Sequence, residues 1–365
     1  MVRARDVAQR AGVSPSTVSR ALFAPEKVAA ATREKVLEAA AEVDYRPNLS
    51  ARGLRLGRHQ AIGLLSPDLE NPYFAAVTKA VQARVQSAGY SLVITDSDED
   101  ADREGELIEL LKGRVDGLVL ASPRSTSEVL IGALRGMPAV LTSRYIEGLP
   151  AVLANEEMGG SQVVGHLRAL GHRRIAVVLG PSSSYSGRPR LVGLRTAADR
   201  VADVTLVEVG EFPPYFSGGF AAADQVLASG ATAVVAFNDL MAVGILSRLQ
   251  ERGVRVPEDI SLVGFDDVSV ANIVSPALTT VRVPRERMAH RAVEMLVECL
   301  DDWGEASPGT VACLPIELVV RASSGEVLAA GRGHVSKSRR PHIPAARAFR
   351  ASTVRRKAPR ALRSP

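Results

Sequence analysis

The sequence contains little cysteine, few aromatic residues and no long apolar run. Its two cysteines, Cys299 and Cys313, do not have the spacing of metal ligands, and aromatic residues make up 4% of the 365-residue chain. No apolar segment follows the N-terminal charges as in a secretory signal, and none reaches the ~18 residues of a membrane span. We therefore expect a cytoplasmic protein with reduced thiols, without a metal site and without a cofactor.

Charge is divided unevenly along the chain, although the formal net charge is only +5. Residues 1–60 carry 11 Lys and Arg against 6 Asp and Glu, and residues 61–330 carry 23 against 34. Residues 331–365 carry 11 against none. An acidic body between two basic ends indicates an anionic partner that is held by the ends, and nucleic acid is the first candidate.

The stretch SPSTVSRAL at residues 14–22 has the start of a helix, because Ser14 can cap it and Pro15 suits its first position. Val18, Ala21 and Leu22 are spaced to face a core. Four polar side chains then face outward or sideways: Ser16, Thr17, Ser19 and Arg20. This short-sided face with one long cation suits insertion into a narrow, anionic groove.

Two further helices are predicted around this stretch, one at about residues 5–11 and one at about residues 32–44. A helix, the AGV turn at residues 11–13 and the next helix form the pattern of a helix-turn-helix unit, which we assign to residues 1–45. The alternative is a small helical interaction domain with no nucleic-acid role.

Residues 46–60 are predicted to be a linker, since they contain arginine, glycine and proline but no acidic residue. Asn48 can cap one or two helical turns that extend to Arg55. A helix this short needs a partner helix or DNA to become ordered, and a flexible tether is the alternative.

From Ala61 onward, nine short apolar runs alternate with helical segments in two successive series. This pattern predicts two similar lobes over residues 61–325, each with a parallel sheet that is covered on both faces. Ligands bind beyond the carboxyl ends of such strands, so the site is expected in the cleft between the lobes. The late segments at residues 285–300 and 315–323 are expected to cross back to the first lobe.

Residues 326–365 show no hydrophobic periodicity and carry only positive charge among their last 35 residues. They are predicted to form a basic, disordered tail. The tail either adds nonspecific affinity for DNA or is an inert extension.

Several motifs in order resemble the LacI/GalR family of bacterial repressors over about residues 6–323. They are DVAQRAGVSPSTVSRAL, TREKVLEAAAEVDYRPN, LSARGLR, IGLLSPDLENPYF, GHRRIAVVLG, AFNDLMAVGIL, VPEDISLVGFDD and PALTTVRVP. The resemblance implies an α/β fold: an N-terminal all-α helix-turn-helix DNA-binding domain, a hinge helix and a two-lobed, periplasmic-binding-protein-like body with parallel sheets. It also implies a transcriptional regulator, most often a repressor and not an enzyme. Such a protein acts as a homodimer on a pseudo-palindromic operator in double-stranded DNA, under the control of a small effector.

The resemblance implies that the helix at residues 15–22 lies in the DNA major groove, with Pro15, Ser16 and Thr17 at base edges. Arg20 would reach a base or a phosphate, and Leu54 of the hinge would wedge between base pairs in the minor groove. The residues implied to contact DNA are Ser14, Pro15, Ser16, Thr17, Ser19, Arg20, Asn48, Arg52, Leu54 and Arg55. Pro15 departs from many members of the family, because it has no N–H to donate.

The effector residues that the resemblance implies are Arg190, Asn238 and Asp266, with Tyr73 and Phe74 as flat apolar surface. An arginine, an amide and a carboxylate suit a polyhydroxyl ligand, so a small neutral carbohydrate is expected. The aromatic pair leaves a nucleobase or nucleoside as the alternative, and a corepressor-dependent regulator is also compatible. Core packing is the plain alternative for Tyr73 and Phe74, and a structural ion pair is the alternative for Arg190 and Asp266.

Effector identity stays open because the chain departs from the family at several positions of the cleft. Asn155 stands where many members have an aspartate, Val283 stands where a glutamine is frequent, and residues 212–216 do not align with the usual aromatic segment.

The competing class is a solute-binding protein or a sugar-acting enzyme. The first has no use for residues 1–60, and the second needs a nucleophile with a base or paired carboxylates. Asp266 and Asp267 are adjacent, which is a weak indication. His166 and His172 are six residues apart and are predicted to face different ways, with His172 as a capping or surface residue.

Overall fold

The computed structural model describes residues 3–23, 25–45, 59–300 and 309–327. Within these ranges the chain forms a small all-α unit and a two-lobed α/β body, and the predicted fold class is confirmed. No helix in the described part of the chain combines the length and the apolar character needed to cross a membrane. The predicted hinge helix and almost all of the predicted tail lie outside the described residues.

The N-terminal unit contains three α-helices: α1 (Ala4–Ala11), α2 (Pro15–Phe23) and α3 (Ala30–Glu42). Gly12 ends α1 with φ +68°, a left-handed conformation that glycine adopts without strain, and it provides the predicted turn. The third helix begins about two residues before the predicted start, because Ala30 and Ala31 are good helix formers. Ala29 gives it no side-chain cap.

The core of this unit is made of small and β-branched side chains from all three helices. Its buried members are Val7, Ala8, Val18, Ala21, Val36, Ala39 and Ala40. An ion pair at 2.5 Å between Arg10 Nε and Glu42 Oε2 also joins α1 to α3.

The described part of the body contains twelve strands. They are β1 (Ala61–Ser66), β2 (Ser91–Asp96), β3 (Gly117–Ala121), β4 (Ala139–Thr142), β5 (Ala151–Ala154), β6 (Arg174–Leu179), β7 (Thr205–Glu211), β8 (Ala233–Val235), β9 (Ser261–Phe265), β10 (Thr279–Arg282), β11 (Val311–Leu314) and β12 (Glu317–Val319). Of these strands, β1 to β9 follow the nine predicted apolar runs, and β10 to β12 were not among those runs.

Helices connect most of these strands. They are α4 (Pro72–Ser87), α5 (Ala101–Lys112), α6 (Ser127–Ala133), α7 (Glu156–Ala169), α8 (Gly187–Val201), α9 (Phe216–Ala228), α10 (Asp239–Glu251), α11 (Val270–Ile273) and α12 (Arg285–Cys299).

The strands form two six-stranded sheets with the same strand order, and the last strand along the chain is parallel in the first sheet and antiparallel in the second. The first has the order β11-β5-β4-β3-β1-β2 and the second the order β12-β10-β9-β8-β6-β7. Lobe 1 therefore comprises residues 61–154, 285–300 and 309–314, and lobe 2 comprises residues 155–283 and 315–327. Each sheet has an apolar cluster on either face, as parallel strands with continuous apolar runs require.

The chain passes between the lobes after β5, after β10 and after β11. Helix α12 returns to lobe 1 and packs in its core, as predicted. The expectation that residues 315–323 also return to lobe 1 was wrong, because β12 pairs antiparallel with β10 in lobe 2. The strand that joins lobe 1 is β11, which pairs parallel with β5.

Lobe 2 extends slightly past residue 325, the predicted end of the two-lobed body. The backbone N–H of Val327 donates a hydrogen bond to the carbonyl oxygen of Leu170 at 2.9 Å. This contact fixes the chain to the end of α7 two residues beyond the predicted boundary.

Candidate functional site

Helix α2 presents the face that is predicted to meet DNA. Ser14 precedes the helix, and its Oγ accepts a hydrogen bond from the backbone N–H of Thr17 at 3.1 Å. Val18 and Ala21 are buried against the other two helices. The polar side of α2 is therefore turned away from the core of the unit.

The polar side chains at the start of α2 are linked to one another. Ser14 Oγ lies 2.7 Å from Ser16 Oγ and 2.9 Å from Thr17 Oγ1, so these hydroxyls form one short network. Arg20 Nη2 reaches Ser16 Oγ at 3.5 Å, one helical turn away, as the sequence predicts. The exposed Arg20 guanidinium can pair with a guanine edge or a phosphate, while short hydroxyls let the backbone come close.

Of the other residues predicted to contact DNA, only Pro15 and Ser19 lie within the described residues. Pro15 is exposed and Ser19 is half-buried on the same helix. Four predicted contacts lie outside the described residues and stay predictions from the sequence: Asn48, Arg52, Leu54 and Arg55.

The five predicted effector residues line one cavity between the lobes. Tyr73 and Phe74 come from the first turn of α4 in lobe 1. Arg190 on α8, Asn238 before α10 and Asp266 after β9 come from lobe 2. The cavity measures about 40 Å³, which is room for a few water molecules and less than a sugar ring occupies.

Arg190 is the central charge of this cavity, and its side chain is buried. Its Nε and Nη2 donate to the two carboxylate oxygens of Glu156 at 3.2 and 3.4 Å, and its Nη1 donates to the Phe237 carbonyl oxygen. Asp266 Oδ1 lies farther away, 3.9 Å from Nη2. The guanidinium also lies over the Phe265 ring, with Cζ 3.8 Å from the ring centroid. Arg190 therefore forms its ion pair mainly with Glu156, and not with Asp266 as the structural alternative supposed.

Asp266 occupies an unusual backbone and electrostatic position. Its φ is +105°, a strained region for a residue with a side chain. Burial, aided by the negative charge of Glu156, raises the pKa of Asp266 to about 6, although Arg190 and Arg285 oppose the rise. A carboxyl group with this pKa changes its ionisation close to neutral pH.

Asn238 is held by contacts that belong to the fold. Its Oδ1 accepts from the backbone N–H of Met241 at 2.8 Å and caps α10, and its Nδ2 donates to the Pro214 carbonyl oxygen at 2.8 Å. The amide thus fixes the segment 212–216 beside the cleft. It retains one N–H for a ligand.

The aromatic pair of lobe 1 combines core packing with exposure to the cavity. The rings of Tyr73 and Phe74 are perpendicular, at 86°, with centroids 5.1 Å apart. Phe74 belongs to the lobe 1 core, and Tyr73 packs against that core while lining the cavity. Burial raises the pKa of Tyr73 well above its usual value, so the phenol stays protonated.

Sequence reasoning missed a second ion pair in the cleft. Arg124, which follows β3, donates through Nε and Nη2 to the carboxylate of Glu99, which follows β2, at 2.7 and 2.8 Å. Arg124 Nη1 also reaches Ser184 Oγ of lobe 2 at 3.5 Å. Neither residue stands in a recognisable motif. Only their positions directly after strands of the first sheet indicate a place in the cleft.

Strained backbone is concentrated at this cavity. Four of its lining residues have side chains and a positive φ: Glu99 (+56°), Ser122 (+47°), Ser143 (+57°) and Asp266 (+105°). Such conformations persist only where surrounding contacts hold them, and they are typical of ligand-binding sites. This feature marks the cavity independently of the charges in it.

Asn155 and Val283, two of the residues that depart from the family pattern, both lie at or beside the cavity. Asn155 caps α7 through a bond from the Met158 N–H to its Oδ1 at 3.0 Å, next to Glu156. Val283 lines the cavity where a glutamine is frequent, so the cavity has one amide fewer.

Asp267, which with Asp266 was considered as a catalytic carboxylate pair, is bound by two arginines. Burial alone would raise the pKa of Asp267, but hydrogen bonds from Arg321 and Arg282 outweigh it and lower the pKa. Asp267 therefore does not share a proton with Asp266. Within the described residues no group of three or more histidine, cysteine and acidic side chains is arranged to hold a metal ion.

Of the two predicted roles of His172, capping or surface residue, only the first holds, because its backbone N–H donates to the Leu167 carbonyl oxygen at 3.0 Å near the end of α7. Its side chain is buried, with Nδ1 2.9 Å from Thr232 Oγ1 and Nε2 2.9 Å from Ser261 Oγ. His166 faces elsewhere, with Nε2 2.9 Å from Ser324 Oγ. Burial lowers the pKa of both rings, which serve to fix the last described segment to lobe 2.

Sequence comparisons match both parts of the chain. A family model described as bacterial regulatory proteins, lacI family, matches residues 4–48, and one described as periplasmic binding protein-like domain matches residues 164–324. The HTH-type transcriptional repressor PurR of Vibrio atlanticus (strain LGP32) is 34% identical over 312 residues, which cover 83% of this chain and 93% of PurR.

Solved structures resemble the whole described architecture. The lac repressor dimer bound to operator and the anti-inducer ONPF matches with a TM-score of 0.78 and 31% identity, covering 89% of this chain and 99% of the repressor chain. The complex of the transcriptional regulator CelR with cellobiose matches with a TM-score of 0.65 and 29% identity, covering 89% and 100%.

Proposed function

The chain belongs to the LacI family of bacterial regulatory proteins, and we propose that it represses transcription by binding an operator that it releases when a small neutral carbohydrate fills the cleft between its lobes. The observation that carries this proposal is the joint presence of an exposed α2 face and a charged, strained cavity between two lobes. Its similarity to a transcriptional repressor, which covers 83% of this chain and 93% of the relative, agrees with a protein that is not an enzyme.

The DNA-binding part of the proposal assigns α2 to the major groove. Ser16 and Thr17 would approach base edges, and Arg20 would supply the paired donors that recognise guanine. A single short helix reads only a few base pairs, so useful specificity needs two copies on a pseudo-palindromic operator. We therefore propose a homodimer that acts in the bacterial cytoplasm, where the operator lies.

This assignment gives each segment of the chain a proposed role. We propose that residues 1–45 bind DNA and that residues 61–325 bind the effector and form the dimer. Residues 46–60 would link these two parts, and residues 326–365 would form a basic tail.

Leu54 would wedge into the minor groove. Leu54→Ala should then weaken binding to operator DNA well beyond its effect on nonspecific DNA.

The charges of the cleft favour a neutral polyhydroxyl ligand. Two arginines, Arg124 and Arg190, face three carboxyl groups, Glu99, Glu156 and Asp266, so an anionic ligand such as a sugar phosphate meets no excess positive charge. Carboxylates accept hydrogen bonds from ligand hydroxyls, and guanidinium groups donate to hydroxyl and ring oxygens. CelR, a relative with this architecture, binds cellobiose.

Ligand control requires that the two lobes change their separation. The cavity of about 40 Å³ has to enlarge before it can hold a sugar, and Arg190 has to exchange part of its bonding with Glu156. A ligand shifts the operator-binding state only through unequal affinity for the two lobe arrangements. The lobe 2 side of the cleft would transmit the change through α7 and α8, which carry Glu156 and Arg190.

The second candidate ligand is a nucleobase or nucleoside. The perpendicular pair of Tyr73 and Phe74 favours it, because a flat base stacks on an aromatic ring. A corepressor-dependent regulator would use the same site with the opposite effect on DNA binding. A solute-binding protein, the candidate of another class, has no use for α1–α3.

A thermal-shift screen of the full chain separates these candidates. Neutral mono- and disaccharides, sugar phosphates and nucleobases are compared at equal concentration, with Asp266→Ala as the cleft variant. A neutral sugar should raise the melting temperature of the native protein by several degrees and of the variant by much less. A shift with nucleobases alone would contradict the carbohydrate, and an equal shift in the variant would contradict the site.

A further inference from the structure

Lobe 2 contains a second cavity that is larger than the one between the lobes. It measures about 160 Å³ and lies between the ends of β6 and β8 and the first turns of α8. Its walls are mainly apolar: Val177, Leu179, Leu191, Leu194 and Val235. Protein interiors are packed to crystal-like density, and an engineered apolar cavity of ~150 Å³ binds benzene, so this volume accepts a six-membered ring.

Phe237 and Arg190 separate this cavity from the cleft. Both residues, together with Ser184, line the two cavities. Arg190 Cζ lies 5.3 Å from the centroid of the Phe237 ring, so the two side chains form one stacked wall. An occupant of the lobe 2 cavity therefore touches groups that also border the cleft.

Two glycines keep that wall in place. A Cβ atom on Gly180 would lie 2.6 Å from carbons of the Phe237 ring, and one on Gly187 would lie 3.3 Å from its Cε2. Any side chain at Gly180 would displace the ring, and one at Gly187 would crowd it. The backbone thus lets Phe237 rest against the loop that precedes α8, with the apolar space beside it.

The polar residues at the rim balance in charge. Arg188 and Glu211 are exposed there, and Glu211 Oε2 accepts from the backbone N–H of Ser182 at 3.1 Å. Arg190 adds a second positive charge to the lining, but this charge is paired with Glu156 at 3.2 Å. Arg188 and Glu211 offset each other, so an ionic ligand gains no net attraction, whereas a hydroxyl can bond to either. The rim therefore suits an uncharged molecule with one polar end.

We propose that the lobe 2 cavity is a second ligand subsite, which takes an uncharged six-membered apolar ring with a polar end towards the rim. The ring is either a free molecule or the apolar substituent of a glycoside whose sugar lies in the cleft. The second source rests on the proposed function, whereas ring binding itself does not.

The test uses p-cresol as the probe and ligand-observed NMR of the full chain. Native protein should bind p-cresol saturably. Leu191→Trp, which fills the cavity from a half-buried wall position, should weaken binding at least tenfold. The matched control is Val192→Trp, on the same helix but half exposed and outside the cavity, which should bind as the native protein does. Absence of saturable binding to the native protein, or equal binding to Leu191→Trp, overturns the proposal.

Folding of each variant is checked by circular dichroism. Should Leu191→Trp not fold, Leu191→Phe adds less volume to the same wall and is judged by the same comparison with Val192→Phe. Because p-cresol binding requires no sugar, it separates the two proposals. A sugar that binds while p-cresol does not overturns the subsite alone, and p-cresol binding without any sugar response contradicts the proposed effector alone.

The two sources of the ring are distinguished with the sugar that the thermal-shift screen identifies. If the ring belongs to the effector, its phenyl glycoside should bind at least tenfold more tightly than its methyl glycoside, and Leu191→Trp should remove the difference. If the ring is a separate molecule, the methyl glycoside and p-cresol should bind together, with no gain for the phenyl glycoside. Both results support the subsite.

Discussion

Asp266 links the proposed ligand to a measurable ionisation, because its carboxyl group lies in the cleft with a pKa of about 6. A carboxylate accepts hydrogen bonds from two ligand hydroxyls, whereas the protonated group loses part of that capacity. Ligand binding therefore favours the ionised form and competes with the proton below this pKa.

We predict that the affinity for the effector falls as the pH is lowered through about 6, up to tenfold per pH unit. Asp266→Asn should bind ~10- to 100-fold more weakly at pH 7.5, from the loss of charged hydrogen bonds, and should show little pH dependence. Isothermal titration calorimetry between pH 5 and 7.5 measures both. Native affinity that is constant over this range would contradict the role of Asp266.

Asp239 is a second buried carboxyl group, and its ionisation is expected to make the stability of the folded protein depend on pH. Its Oδ1 accepts from Thr280 Oγ1 at 2.6 Å and its Oδ2 from the Val268 N–H at 2.9 Å, yet burial and the charge of Asp266 raise its pKa to about 8. The unfolded chain loses this proton near pH 3.8, the ordinary value. Between these values the folded state holds the extra proton, so raising the pH favours unfolding.

Asp239→Asn should remove this dependence, since an amide stays neutral at every pH. From pH 5 to pH 8 the native protein should lose stability relative to the variant, on the order of a few kcal/mol. Melting temperatures of both proteins at pH 5, 6.5 and 8 provide the comparison. Parallel pH profiles would show that Asp239 is ionised in the folded state.

Individual residues of the cleft were predictable only where a motif carried them. Asn238 and Asp266 stand in the motifs AFNDLMAVGIL and VPEDISLVGFDD, and both line the cavity. Glu99 and Arg124 come from loops without a motif, and their pairing depends on β2 and β3, which lie on either side of β1 in the sheet. The preference of Arg190 for Glu156 depends on the packing of α7 against α8, which local sequence does not encode.

At the scale of elements, the helices and buried strands followed from hydrophobic pattern and capping residues. Strands β10 and β11 were missed, because TTVR is polar at its ends and VACL stands apart from the two predicted series and joins a sheet only through its long-range pairing with β5. The lobe to which β12 belongs depends on a long-range antiparallel pairing with β10. Helix α2 was predicted well, since Ser14 and Pro15 mark its start.

Helix α2 also provides the prediction for DNA recognition. Arg20→Ala should weaken operator binding by roughly 1–3 kcal/mol and relax the preference at one base pair of each half-site. Arg20→Lys is the matched control, because it keeps the charge but loses the paired donors. Selection of binding sites from random DNA measures the preference. An unchanged preference with uniformly weaker binding in Arg20→Ala would assign Arg20 to a phosphate.

At the scale of the whole molecule, the body consists of two lobes joined by three chain crossings, and we propose that its cleft opens and closes about them. The crossings follow β5, β10 and β11, and no strand is shared between the two sheets of the described residues. The sequence pattern predicted the two lobes. It did not predict that β11 joins the sheet of lobe 1 and that β12 joins the sheet of lobe 2. Two copies of the N-terminal unit would be brought together by this body.

We predict that the protein binds DNA as a dimer, one half-site for each copy of α2. Sedimentation of the full chain with operator should give two chains for each DNA duplex, and footprinting should protect a pseudo-palindromic site. The control is a duplex with one half-site scrambled, which should bind at least tenfold more weakly. Protection of an asymmetric site by a single chain would contradict the symmetry.

Control of DNA binding by the cleft predicts that the affinity for operator DNA differs with and without the effector. Fluorescence anisotropy of labelled operator is measured with the native chain and with Asp266→Ala, in the presence of the sugar that stabilises the native protein. We predict that the sugar raises the operator Kd of the native protein at least tenfold, while the variant binds operator normally and does not respond to the sugar. A native Kd that the bound sugar leaves unchanged or lowers, or a variant that responds like the native protein, would contradict it.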